Sequence, residues 1–121
     1  MKMSHRALIV CAFAAVTAFA QTETKNVSGT WQIEYHDKNG KEVDTPMVSF
    51  LQTGGRLEGV FGNKHWRLEG TVVADQVQFL FHPAGHPEIT VRYAGKVDSS
   101  GEIRGSMVSE VQSGTFVAIR K

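Results

Sequence analysis

Arg56-Leu57-Glu58-Gly59-Val60-Phe61, followed by Trp66-Arg67-Leu68-Glu69-Gly70-Thr71-Val72-Val73 and Gln76-Val77-Gln78-Phe79-Leu80-Phe81, is the stretch whose reading decides the fold. Leu57 and Phe61, Trp66, Leu68 and Val72, and Val77, Phe79 and Phe81 keep one parity within their runs, while Glu58, Arg67, Glu69 and Gln78 take the other. A period of two is that of a half-buried strand and is incompatible with the 3.6-residue period of a helix. Short polar or glycine-bearing breaks, such as Gly62-Asn63 and Ala74-Asp75, make consecutive runs into hairpins.

The same alternation extends in both directions and predicts eight strands, over residues 29–36, 47–53, 56–61, 65–73, 76–82, 88–97, 102–108 and 115–120. Tight turns at Asn39-Gly40, Gly54-Gly55 and Ser99-Ser100-Gly101 favour pairing between neighbours. The expected fold is all-β, an eight-stranded antiparallel up-and-down β-barrel formed by residues 29–121. Setting the phase by the aliphatic residues puts every aromatic from Trp31 to Phe116 on the inner face, a residue class not used to set it. Gly59, Gly70, Gly95 and Gly105 recur on that face two residues after a large apolar one, a structural role suited to strands that coil over a crowded interior.

At the other end of the chain, Lys2 and Arg6 precede an uncharged run from Ala7 to Phe19, and Ala18-Phe19-Ala20 provides a small-x-small processing site. This layout predicts a signal peptide over residues 1–20, export to the periplasm or outside the cell, and a polar flexible arm over 21–28. Cys11, the single cysteine, falls inside the leader, so the processed chain forms no disulfide and has no thiol chemistry. Without Lys2 and Arg6 the 13 basic residues become 11 against 12 acids, with the signs interleaved. Nucleic acid and anionic membrane surfaces are poor partners for such a chain, and no membrane insertion is expected after processing.

Gly29-Thr30-Trp31 opens the first strand and Arg120 closes the last, so barrel closure would stack a guanidinium on an indole. This pairing resembles the calycins, the lipocalin and avidin-like barrels, and the chain looks most like small exported bacterial barrels of unassigned activity. The spacing of Gly-Thr-Trp, of Leu57 to Phe61 and of Leu68 to Gly70 is similar to that of avidins. Avidin-type proteins place polar ligand-holding groups where Phe61, Ile33 and Asp37 stand, and a tryptophan where Met107 stands, so the resemblance implies the fold and argues against biotin. Lipocalins are longer, which argues against a large lipid cavity.

The longer connections, around residues 37–46, 83–87 and 109–114, all fall at one end of such a barrel, and loop-bearing mouths are where binding residues collect. Tyr35, Phe61, Trp66, Phe81, Tyr93, Met107 and Phe116 point into the interior near that mouth and are the expected ligand-binding residues. They suit a small apolar or planar ligand held by stacking, and they equally suit a filled core. His36, His65, His82 and His86 map to the same end without a metal-ligand spacing, so neither metal nor cofactor is expected. No nucleophile stands beside a histidine and an acid in a recognisable motif, so the chain is not read as an enzyme.

Two functions follow. The first is an exported small-molecule binding protein for a mostly apolar or aromatic ligand. The second is a secreted inhibitor or protein-interaction barrel acting through its loops or arm, similar to secreted metalloprotease inhibitors that open with Gly-x-Trp but carry a disulfide absent here. Outward Leu51, Val60, Leu80, Val108, Val117 and Ile119 leave the oligomeric state open.

Overall fold

Alternating β-branched or aromatic residues with polar ones build nine strands, β1 (Gly29–Asp37), β2 (Glu42–Asp44), β3 (Met47–Thr53), β4 (Arg56–Phe61), β5 (Trp66–Val73), β6 (Gln76–Phe81), β7 (Val91–Val97), β8 (Ile103–Val108) and β9 (Ser113–Arg120). The computed structural model describes residues 23–121; the expected leader over 1–20 lies outside the described residues. Each strand from β3 to β9 pairs antiparallel with the next, and β9 returns to pair with β1 from Trp31↔Arg120 to Asp37↔Gly114. The sheet is therefore a closed barrel, in which among the described strands the short β2 keeps an unpaired outer edge.

The barrel has the expected eight staves because β2 and β3 share one edge of β1 as a single interrupted stave. Pro46 explains the interruption: it has no N–H to give the ladder, although its carbonyl still accepts from Ile33 N at 2.8 Å. The loop expected over 37–46 thus contains a short strand. Two other boundaries are corrected. His65 stands outside β5 with φ 55° and its N–H bonded to Gly62 O, and residues 88–90 remain outside β7, held in a turn by Ile89 N to His86 O.

Parity governs the packing. Eight of the nine aromatics from Trp31 onward are buried and Trp66 is half-buried, while the described residues include no buried polar or charged residue. The inner face is too crowded for Cβ atoms at several glycines. A Cβ at Gly59 would meet Ser49 O, one at Gly70 would meet Gln78 O, and one at Gly105 would meet the backbone of Ala94 and Gly95. At Gly95 the nearest atom would be Arg104 O, at 2.8 Å. Gly114, which the repeat did not include, is equally closed by His36 O and the Tyr35 ring.

The closed end is laced shut. Arg120 lies 4.4 Å over the Trp31 ring and donates from its two terminal nitrogens to Ser28 O at 2.7 Å and Asn26 O at 3.0 Å. Trp31 Nε1 donates to Val27 O at 2.9 Å, and Gln52 accepts from Val27 N while donating to Lys25 O. Val27 is only 1% exposed. The expectation of a free arm over 21–28 is corrected for residues 25–28: an apolar residue followed by a polar backbone seals the open bottom of the barrel, and Lys25 N also bonds Ala74 O.

Candidate ligand-binding site

Opposite that seal, the connections after β1, β4, β6 and β8 frame an open mouth. The loops are braced rather than loose. Asp37 accepts from Asn39 N and Lys41 N in the first; His82 Nδ1 bonds Ile89 O at 2.9 Å across the third; and Ser109 Oγ accepts within the fourth. Glu110 reaches from the last loop to accept Thr90 N at 2.8 Å, and that hydrogen bond is the main reason its carboxyl sits below the usual range. Two connections from different hairpins are thereby fixed to each other, which preorganises the opening.

The interior is neither wholly filled nor wholly hollow. A column of rings runs inward from the mouth: Trp66 stacks on Phe81 with centroids 5.6 Å apart, Phe81 on Phe61 at 4.3 Å, and Phe61 leans on Tyr93 at 5.5 Å. Tyr93 then stacks on Phe79 at 4.8 Å with planes 8° apart, and Phe50 meets Phe79 edge-on at 5.2 Å. Tyr93, backed by Phe79, bounds the open space from below. Above them lies a cavity of about 270 Å³ that opens to solvent.

Six of the seven residues expected at the site, Tyr35, Phe61, Trp66, Phe81, Tyr93 and Met107, line this cavity. Phe116 does not; it packs edge-on against Tyr93 at 5.0 Å and belongs to the core beneath. The reason is register: Phe116 pairs with Gly105 on one side and Tyr35 on the other, and its ring reaches over Gly95, where an added Cβ would meet Phe116 Cζ at 3.0 Å. Sequence reasoning missed Val43, Ile89 and Val111, which rim the cavity from three loops. A signal was present, since each is an apolar residue in an otherwise polar connection, and Val43 and Val111 are 53% and 71% exposed.

Two buried polar atoms of the lining residues have no hydrogen-bond partner among the described residues, Tyr35 Oη and Trp66 Nε1. Burial raises the Tyr35 phenol above its ordinary value, with the Asp37 charge adding to the shift. Burial also raises Tyr93, reinforced by Tyr35 and Asp44, so both phenols are neutral donors near pH 7. His36, His65, His82 and His86 are spread around the rim, and among the described residues no three metal-ligating side chains come together.

This architecture is a closed eight-stranded antiparallel β-barrel. No family model matches the chain, and no curated protein matches it. Among solved structures it is similar to a redesigned β-barrel, mFAP1, bound to DFHBI, with a TM-score of 0.52 and 14% identity over 78% of this chain and 94% of that one. A second redesigned barrel, b11L5F_LGL, gives a TM-score of 0.55 and 16% identity over 78% of this chain and 90% of that one. EF1p2_mFAP2b bound to DFHBI gives 0.51 and 13%, over 78% and 93%. At these identities the likeness is one of fold.

Proposed function

We propose that this chain is an exported binding protein, a carrier or sensor rather than an enzyme, that takes a small, planar, mostly apolar molecule into the aromatic mouth of the barrel. The observation that carries the reading is an open cavity lined by the rings of Tyr35, Phe61, Trp66, Phe81 and Tyr93. Barrels of the same architecture bound to DFHBI support small-molecule binding. The volume is near the low end of the roughly 300–1,000 Å³ usual for ligand pockets, which suits a compact aromatic molecule and excludes a long lipid. Fastening of residues 25–28 to the barrel removes much of the arm on which the inhibitor reading depended.

Native mass spectrometry and solvent extraction of protein purified from its host should reveal a bound compound. Titration with DFHBI or small hydrophobic dyes should change tryptophan fluorescence, and Tyr35→Phe and Trp66→Phe should weaken that response. A chain that carries no compound and is indifferent to every dye would overturn the proposal.

A further inference from the structure

The charge on the cavity wall selects among planar ligands. Asp44 is the one charged side chain among the lining residues, and no lysine, arginine or histidine joins it. It sits at the exposed rim on the short strand β2, while Phe61, Phe81 and Tyr93 line the space further in. The wider rim has the same sign: its loops carry Asp37, Glu42, Glu88 and Glu110 besides Asp44, against Lys38, Lys41 and Lys64. Aromatic faces present negative quadrupole potential to a positive group, an attraction that strengthens as water is excluded. A carboxylate at the edge of a low-dielectric cleft adds to it and opposes an anion by the same amount. The acid at the rim can pair with a positive nitrogen.

We infer that the mouth is selective for planar aromatic cations, molecules with a quaternary or protonated nitrogen held by Asp44 and the aromatic wall. This rests on the small-molecule reading above and specifies the ligand's charge class. Three probes of nearly equal size separate the two claims at neutral pH: 6-methoxy-1-methylquinolinium as cation, 6-methoxyquinoline as neutral isostere and 6-methoxy-2-naphthoate as anion. Isothermal titration of the wild-type chain should show the cation binding about tenfold tighter than the neutral probe, equivalent to roughly 1.4 kcal/mol, and the anion weakest. Asp44→Asn keeps the oxygen that accepts Thr45 N at 2.9 Å. It should remove the cation's advantage over the neutral probe. Neutral and anionic probes binding as well as the cation, or a cation preference untouched by Asp44→Asn, overturns the charge inference and leaves the small-molecule reading standing. Failure of all three probes to bind overturns both.

Discussion

Replacing Tyr35 with Phe should make this protein more stable and a poorer binder. The ring is 3% exposed and lies over Gly114, where any added Cβ would strike it, so a phenyl group keeps the same seat. Only the hydroxyl is lost, and Oη has no partner among the described residues. Releasing a buried, unpaired hydroxyl from its desolvation penalty is worth about 1–2 kcal/mol, and in a domain of this size each 1 kcal/mol moves Tm by roughly 4–8 °C. Urea unfolding followed by tryptophan fluorescence, together with calorimetry, measures the change directly. The alkaline limb provides a second reading. Because the folded phenol titrates above its ordinary value of 10.0, the native state retains a proton that the unfolded chain releases, so its contribution is complete below pH 10 and disappears as pH rises further. Tyr35→Phe should therefore flatten the loss of stability above that pH, leaving the part due to Tyr93. A variant less stable than wild type by about 1 kcal/mol or more would show that the hydroxyl is already engaged within the fold.

Other expectations concern the frame. Arg120→Met removes the stack on Trp31 and two charge-assisted bonds to residues 26 and 28, and should cost about 2–3 kcal/mol; tryptic cleavage after Lys25 should accelerate more than in an equally destabilised core variant, and equal cleavage in both would contradict the seal. Gly105→Ala forces a methyl group into the backbone of Ala94 and Gly95 and should lose about 3 kcal/mol, the upper end of overpacking costs, with Gly95→Ala milder; full stability of Gly105→Ala in urea would mean that the strands approach less closely. Asp98 is held at about 2, first by the Ser100 hydroxyl and then by Arg104. That carboxylate stabilises the fold above its ordinary 3.8 and ceases to do so as pH falls toward 2. Asp98→Asn should flatten the acid limb of the stability curve across that window, and an unchanged limb would remove the turn from the list of acid-sensitive contacts.

The reach of the sequence is clearest in the aromatics. Parity along Trp31-Gln32-Ile33-Glu34-Tyr35 and its counterparts needs only the geometry of an extended chain, and the same alternation located the inner face of every stave. Strand ends were legible only where a turn residue marked them. Pro46 announced a break but not that Glu42–Asp44 would resume pairing with β1, because that pairing depends on where β1 stands across the barrel. Six of the seven expected site residues line the cavity because depth along a strand follows from position. Phe116 does not, because whether a ring faces space or fills it depends on the neighbours in register, here Gly105 and Tyr35.

By itself, then, the order of residues determined the period-two strands, the dry inner face and the meander, which follow from local stereochemistry and short connections, and it put Trp31 and Arg120 at the two ends that meet once the barrel closes. Tertiary structure alone decided that residues 25–28 form a plug, that Val43, Ile89 and Val111 converge on one rim, and that Asp44 is the lone charge on the wall. Those facts depend on contacts between residues far apart in the chain, and such distances become short only when the cylinder closes.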